Sequence, residues 1–472
     1  MKIYFIGICG TATGNVAILM KRLGHKVSGS DAGMYDPMKT ALRDAGLSAN
    51  EGWNPKNLEC FCPDLVVVGN SISRMNPELE FVLASRKYDY TSLPELIGRE
   101  LIGRRKCLVV CGTHGKTTTT TLAAYLLRAN GVDAGWLIGG VPLDLPEGGS
   151  NLGDIKAGAP FVIEGDEYDT AYFDKRSKFL HYRPTVLVIN NIEFDHADIF
   201  RDIYEVKRTF THVRRIVPPY GKIVENADDA NIASLEQTPW TQTYKVGESP
   251  SADLRIKDFL QFADSSEFTL ECGGKSKKVS WPMQGVFNAR NAAMACAGVA
   301  EILGISPLDL DISALSNFHG IRRRQEVILE RPNLCVVEDF GHHPTAIALT
   351  ISSLRQKFPQ RRLFAAFEPR SNTAKTKVLQ DKFADSLSLA DASYVGAVRA
   401  PKILPENRMD TDAMSAKHPE KIFPFSDNEE LLERLSLDVR RHLKSGQKAV
   451  CVFFSNGSFD GIHKKFSEAF KD

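Results

Sequence analysis

Gly112-Thr113-His114-Gly115-Lys116-Thr117-Thr118 combines residue types that suit the holding of a phosphate chain. Glycines let the backbone turn its N–H groups onto phosphate oxygens, and a helix N-terminus adds positive potential. Lys116 would neutralise β/γ-phosphate charge, and the Thr117 hydroxyl could ligate Mg²⁺. A full P-loop has a glycine five residues before Gly115, where this chain has Val110, so the loop is a shortened variant. An accidental lysine in a Gly/Thr turn is disfavoured by the context. The apolar strand Leu108-Val109-Val110-Cys111 precedes the loop, and a helical pattern over 121–127 follows it.

Two further clusters follow apolar strands in the same segment. Glu164-Gly165-Asp166-Glu167 gathers carboxylates, which suit a hard cation but would equally suit a solvated acidic loop. Asp195-His196-Ala197-Asp198 sets a histidine among acids, where it could orient a ligand, bind metal or act as a base. Lys207, on the helical pattern that follows, is expected to project toward the same pocket or into solvent. An earlier glycine cluster, Gly7, Gly10 and Gly14 with Thr11, is followed by Ser30-Asp31 after the next strand. It is similar to a dinucleotide fingerprint, but the spacing is G-x-x-G-x-x-x-G, which supports a diphosphate-bearing nucleotide better than NAD.

These residues need elements that bring them together. Three segments each open with an apolar strand running into a Gly-rich or polar loop: Ile3 to Ile6, Leu108 to Cys111, and Cys335 to Val337. Continuous apolar runs of this kind, each followed by a helical pattern, predict parallel strands buried on both faces. The chain is therefore expected to be α/β in three domains, at residues 1–103, 104–323 and 324–472. Further strands are expected at Pro160 to Ile163, Val186 to Asn190, Leu363 to Phe367 and Ala449 to Phe454, with a helix over Tyr204 to Val217.

Composition bounds the rest. The 472 residues carry 59 Lys plus Arg against 58 Asp plus Glu, and a net charge of +1 leaves no footprint for nucleic acid or an anionic membrane. No apolar run reaches the ~20 residues that span a bilayer, so no membrane insertion is expected. The start runs straight into a strand without a cleavage pattern, and nine scattered cysteines form no paired CxxC hooks, so a cytoplasmic protein with reduced thiols is expected.

With these pieces in place the whole chain resembles the Mur ligase family. The ATP loop, Gly29-Ser30-Asp31, Glu164-Gly165-Asp166-Glu167, Asp195-His196-Ala197-Asp198, Asn288-Ala289-Arg290-Asn291 and Gly341-His342-His343-Pro344 stand where the family carries its motifs. Phe367-Glu368-Pro369-Arg370-Ser371-Asn372-Thr373 and Asp174 to Phe179 resemble the branch that adds a peptide rather than free alanine. Position 340 is Phe where the alanine-adding branch has Tyr.

The resemblance implies an N-terminal Rossmann-like UDP-binding domain, a central P-loop-type ATPase domain and a C-terminal Rossmann-like domain. It implies an enzyme that forms a C–N bond at the expense of ATP, with ADP and phosphate as products. The acid would be UDP-N-acetylmuramate and the amine the recycled murein tripeptide L-alanyl-γ-D-glutamyl-meso-diaminopimelate; the alternative amine is L-alanine. Gly7, Gly10, Thr11, Gly14, Ser30, Asp31 and Ser71 are then expected at the UDP-sugar. Gly112 to Thr118, Asn288, Asn291, Arg323, Arg324 and Asp339 are expected at ATP, and Thr117, Glu164 and His196 at Mg²⁺. Lys116, Glu164, His196 and His342 would carry the chemistry, and His342, Arg370, Ser371 and Asn372 would meet the peptide.

Overall fold

The strand that leads into the phosphate loop runs over Lys106–Cys111 and lies inside a parallel sheet, between Pro160–Gly165 and Val186–Ile189. Its side chains alternate between two cores, as period-2 geometry requires. Leu108 and Val110 pack with Leu122 and Leu126 on one face, whereas Val109 and Cys111 pack with Phe179 and Phe210 on the other. Full burial of one such apolar side chain stabilises by about 1.5–3 kcal/mol, which holds the strand in register beneath its loop.

The computed structural model describes residues 1–471 and contains three sheets. The first has five parallel strands in the order Ser48–Glu51, Lys26–Asp31, Lys2–Ile6, Leu65–Val68, Asp89–Ser92. The second has ten strands, parallel through its centre. The third has six, all parallel except the edge strand Glu326–Glu330. No helix among the described residues is long and apolar enough to cross a membrane.

The central sheet departs from expectation at one edge. Leu254–Gln261 joins it in parallel, and Ser266–Cys272 and Lys275–Trp281 then extend it with antiparallel pairing. The last two form a hairpin closed by Gly273-Gly274, both at positive φ, the conformation a two-residue turn demands.

The helix after the phosphate loop also differs from expectation. It spans Lys116–Ala129 and so starts five residues earlier than the pattern suggested. The run Thr117 to Thr121 has weak helix propensity, yet Thr120 and Thr121 donate their hydroxyls to the carbonyls of Lys116 and Thr117 at 2.8 Å. Thr119, Thr120 and Thr121 are fully buried, so packing and these bonds override propensity.

Loops at the carboxyl ends of strands from all three sheets converge, as ligand sites do in open α/β sheets. Thr11 and Asn70 come from the first domain, His114 and Asp166 from the second, and His342 and Arg370 from the third; together they line one cleft of about 1550 Å³.

Candidate active site

Two glycines shape the phosphate loop. Gly112 has φ +134°, and a Cβ there would lie 3.0 Å from the backbone of Asn191. Gly115 has φ +76°, and a Cβ there would lie 2.5 Å from Asn291 Oδ1. The loop is further held by the segment after Val186–Ile189. Asn191 accepts from the His114 N–H at 2.7 Å and donates to the His114 carbonyl at 3.0 Å. The Glu193 N–H donates to Thr113 Oγ1 at 2.8 Å. These residues leave no conformational slack in the loop, which removes an ordering cost from nucleotide binding.

Lys116 reaches back across the loop. Its ammonium donates to the Gly112 carbonyl at 2.8 Å and lies 3.0 Å from Glu167 Oε2. Burial works against its charge, but Glu167, Asp166 and Glu164 outweigh that and hold the lysine firmly protonated. Glu167, 3% exposed, also lies 3.2 Å from His196 Nε2. Burial pulls the His196 imidazole down, yet the hydrogen bond and charge of Glu167 raise it above its ordinary value.

Glu164 faces elsewhere. One oxygen accepts from Thr117 Oγ1 and the other from the Gly139 N–H, each at 3.0 Å. Burial, reinforced by Asp166, pushes its carboxyl up. The carboxylate beside His196 is thus Glu167, where sequence reasoning had joined His196 to Glu164. Thr117 and Glu164 present clustered oxygen donors beside the phosphate loop, which fits a hard cation such as Mg²⁺. Asp166 is kept low, against burial, by Lys178 and Lys116. Lys178 lies 3.1 Å from Asp166 and its ammonium stands 4.0 Å over the Tyr168 ring.

On the third domain, two adjacent arginines have separate duties. Arg323, at φ +63°, turns inward to Glu338 at 2.6 Å and to the carbonyl of Ser455 at 2.8 Å. Arg324 points the other way, 3.3 Å from Thr117 Oγ1, with its guanidinium 4.7 Å over the Phe340 ring. Asp339 is buried and accepts from the N–H groups of Gln325 and Gly341 at 2.9 and 2.7 Å. Burial lowers both His342 and His343 to about 4, so both imidazoles are neutral near pH 7. The His342 Nδ1–H is given to the Phe340 carbonyl at 3.1 Å.

The expected peptide loop rests on the central domain. Asn372 donates to Asp198 at 2.7 Å, and Thr373 Oγ1 accepts from the Ala197 N–H at 3.1 Å. Arg370 is half-exposed on the cleft, and Gly457 beside it leaves no room for a Cβ. Asn288 and Asn291 line the cleft behind the phosphate loop, joined at 3.3 Å.

The first domain contributes Thr11, Asn70 and Ser73 to the cleft wall. Ser30 stands behind it, fully buried with its hydroxyl on Glu78, and Asp31 accepts from the Cys9 N–H at 2.8 Å. Gly14 is a packing position, since a Cβ there would strike Met38. Of the two directions open to Lys207 the structure takes the outward one: it lines a separate groove of about 680 Å³ on the outer face of helix Ile203–Arg215 and is not among the residues that line the cleft. Its helical register turns it away, because Val206 and Phe210 take the buried face.

Sequence comparison places the same three-part division on the chain. Family models match as "Mur ligase family, catalytic domain" over residues 2–101, "Mur ligase middle domain" over 110–299, and "Mur ligase, glutamate ligase domain" over 323–453. The UDP-N-acetylmuramate–L-alanyl-γ-D-glutamyl-meso-2,6-diaminoheptandioate ligase of Escherichia coli is 41% identical over 84% of this chain and 84% of its own length. A UDP-N-acetylmuramate–L-alanine ligase of Nitrosospira multiformis is 31% identical over 98% of this chain and 92% of its own. The crystal structure of a murein peptide ligase from Psychrobacter arcticus is 35% identical, covers 99% of this chain and 98% of its own, and superposes with a TM-score of 0.70. With all three domains matched in order around a single phosphate-loop cleft, the chain belongs to the Mur ligase family.

Proposed function

We propose that this chain is an ATP-dependent amide ligase that joins UDP-N-acetylmuramate to L-alanyl-γ-D-glutamyl-meso-diaminopimelate, releasing ADP and phosphate. One observation carries the reading: a buried cationic phosphate loop opens onto a cleft shared by all three domains, in a chain 41% identical to a relative named for that reaction. The first domain would seat the UDP-sugar, the central domain ATP, and the third the peptide. The nucleotide substrates imply a cytoplasmic setting and a role in recycling cell-wall peptides.

The muramyl carboxylate attacks the γ-phosphorus, ADP leaves, and the peptide amine then displaces phosphate from the acyl phosphate. Both reactants of the first step are anionic, so the site must supply positive charge where charge develops. Lys116 supplies it from below and Arg324 from the closing domain. Thr117 and Glu164, with His196 nearby, would hold Mg²⁺, which when bound offsets charge on the phosphate oxygens. Glu167 keeps Lys116 aimed across the loop and His196 oriented. Asn288 and Asn291 would lie on the adenine side. His342, with Nδ1–H given away, keeps Nε2 as an acceptor for the proton that the amine loses. Arg370, Ser371 and Asn372 would meet the carboxylates of the peptide.

The test is ADP release with UDP-N-acetylmuramate and either the tripeptide or L-alanine, for the wild type and Lys116→Ala. Turnover with the tripeptide, abolished in Lys116→Ala while UDP-sugar binding persists, supports the reading. Turnover with L-alanine alone overturns it.

A further inference from the structure

Three side chains converge where the C-terminal domain meets the phosphate loop; His114 belongs to that loop, but the reaction above gives no step to the side chain of any of the three. His114 follows the strand Lys106–Cys111, Glu193 follows Val186–Ile189, and His343 caps the helix Pro344–Lys357. One nitrogen from each histidine and one oxygen of Glu193 all lie within 4.8 Å of one another. His343 Nδ1 is 3.5 Å from one Glu193 oxygen, and His114 Nε2 is 3.8 Å from the other.

The hydrogen positions make this cluster incomplete. His343 Nε2 lies 3.2 Å from the Phe194 carbonyl, which can only accept, so that nitrogen carries the hydrogen. Nδ1 is therefore unprotonated, and its single lone pair lies 3.4 Å from the Thr345 N–H and 3.5 Å from a Glu193 oxygen. His114 Nε2 is buried and has no hydrogen-bond partner. The unprotonated Nδ1 of His343 beside a carboxylate is a repulsive pair that a cation between them would relieve.

We propose that His114, Glu193 and His343 form a binding site for a divalent transition metal, with Zn²⁺ as its representative, which ties the phosphate loop to the C-terminal domain. Two imidazoles and one carboxylate are an established zinc donor set, with metal–ligand distances of about 2.0–2.2 Å. Tetrahedral geometry then sets donor atoms about 3.4 Å apart, close to the 3.5 Å between His343 Nδ1 and its Glu193 oxygen. The two imidazoles, with ring centroids 4.5 Å apart and planes at 46°, would part to about 5 Å as their nitrogens turn onto a shared tetrahedral ion. The outer contacts are already present: the Phe194 carbonyl fixes the His343 tautomer, and Thr345 Oγ1 holds the carboxylate at 2.6 Å. Imidazole donors select Zn²⁺, Cu²⁺ or Ni²⁺ over Mg²⁺, so the site is chemically distinct from the oxygen donors Thr117 and Glu164. The proposal goes beyond the ligase reading and does not depend on it.

The test titrates the full chain with Zn²⁺ against a chromophoric chelator, without nucleotide and in excess Mg²⁺. One zinc per chain is expected, bound at least tenfold more weakly by His114→Asn and by Glu193→Gln. Binding is expected to be unchanged in His196→Asn, and in the Cys60→Ser/Cys62→Ser pair that removes the two exposed thiols. Zinc-edge X-ray absorption of the wild type should show two imidazoles and oxygen ligands, without sulfur. Failure to compete for zinc, equal affinity in His114→Asn or Glu193→Gln, loss of the site in His196→Asn or the cysteine pair, or a sulfur ligand would each overturn the proposal.

Discussion

Replacing Glu167 by glutamine removes the one carboxylate that Lys116 and His196 share, at 3.0 and 3.2 Å. Charge-assisted hydrogen bonds contribute about 1.5–3 kcal/mol each, and the amide oxygen can keep one neutral bond to either partner. A loss of about 3 kcal/mol is therefore expected at pH 6, within the range for breaking a buried pair by truncating one side. The pH dependence follows from His196. Its folded pKa is raised, so its contribution is fully present below the unfolded value near 6.5 and lost as pH rises through the folded value. Above the folded value only the Lys116 share remains, and the destabilisation should fall to about 2 kcal/mol. In the variant burial and the Lys116 charge are opposed by Asp195 alone, so His196 should titrate lower than in the wild type. Urea unfolding at pH 6 and at a pH above the folded value, with His196 followed by NMR, measures both quantities. A change under about 0.5 kcal/mol at both pH values, with His196 titrating as in the wild type, would refute the shared-carboxylate reasoning.

Three other perturbations test separate parts of the site. Gly115→Ala puts a Cβ 2.5 Å from Asn291 Oδ1 at φ +76°, so calorimetry should show a loss of at least about 2 kcal/mol in ATP binding or central-domain stability; wild-type values for both would contradict the tight loop. Arg370→Ala should raise the KM for tripeptide while leaving those for ATP and UDP-N-acetylmuramate nearly unchanged, and an unaltered tripeptide KM would remove Arg370 from the peptide site. Glu193 is half-buried, which opposes its charge, yet His114, Thr345 and His343 lower its carboxyl to about 2. Its contribution is present above the unfolded value near 4.3 and lost as pH falls toward 2, so Glu193→Gln should flatten stability between those limits in acid unfolding curves.

Continuous apolar runs made the strands legible, because a strand buried on both faces has no polar alternation to obscure it. Lys106–Cys111, Arg362–Phe367 and Ala449–Phe454 stand within a residue or two of their expected positions. The phosphate loop was legible for a similar reason: glycine, lysine and threonine at that spacing have few other uses. What stayed hidden depends on direction, which composition does not encode. Glu164, Asp166 and Glu167 are equivalent as letters, yet only Glu167 meets both Lys116 and His196. Arg323 and Arg324 were equivalent as well, yet Arg323 meets Glu338 and the Ser455 carbonyl whereas Arg324 meets Thr117. Ser30 matched a nucleotide motif, but its hydroxyl is taken by Glu78 from a distant helix. Lys178 lay inside the stretch Asp174 to Phe179 without a role of its own, and Asn191 and Glu193 lacked one too, although their place after a strand of the phosphate-loop segment was a usable signal. The Gly273-Gly274 hairpin was readable from two glycines between alternating strands.

The distribution of thiols gives each domain its own clock. Cys9 is buried in the first domain, Cys107, Cys111 and Cys296 in the second, and Cys335 and Cys451 in the third. A thiol-reactive reagent reaches a buried cysteine only when its surroundings open, so modification rates read the opening free energy of that region. Mass spectrometry of the native chain after timed alkylation would therefore rank the three domains by local stability without any introduced probe. Cys60 and Cys62, exposed from the start, would mark zero time in every sample.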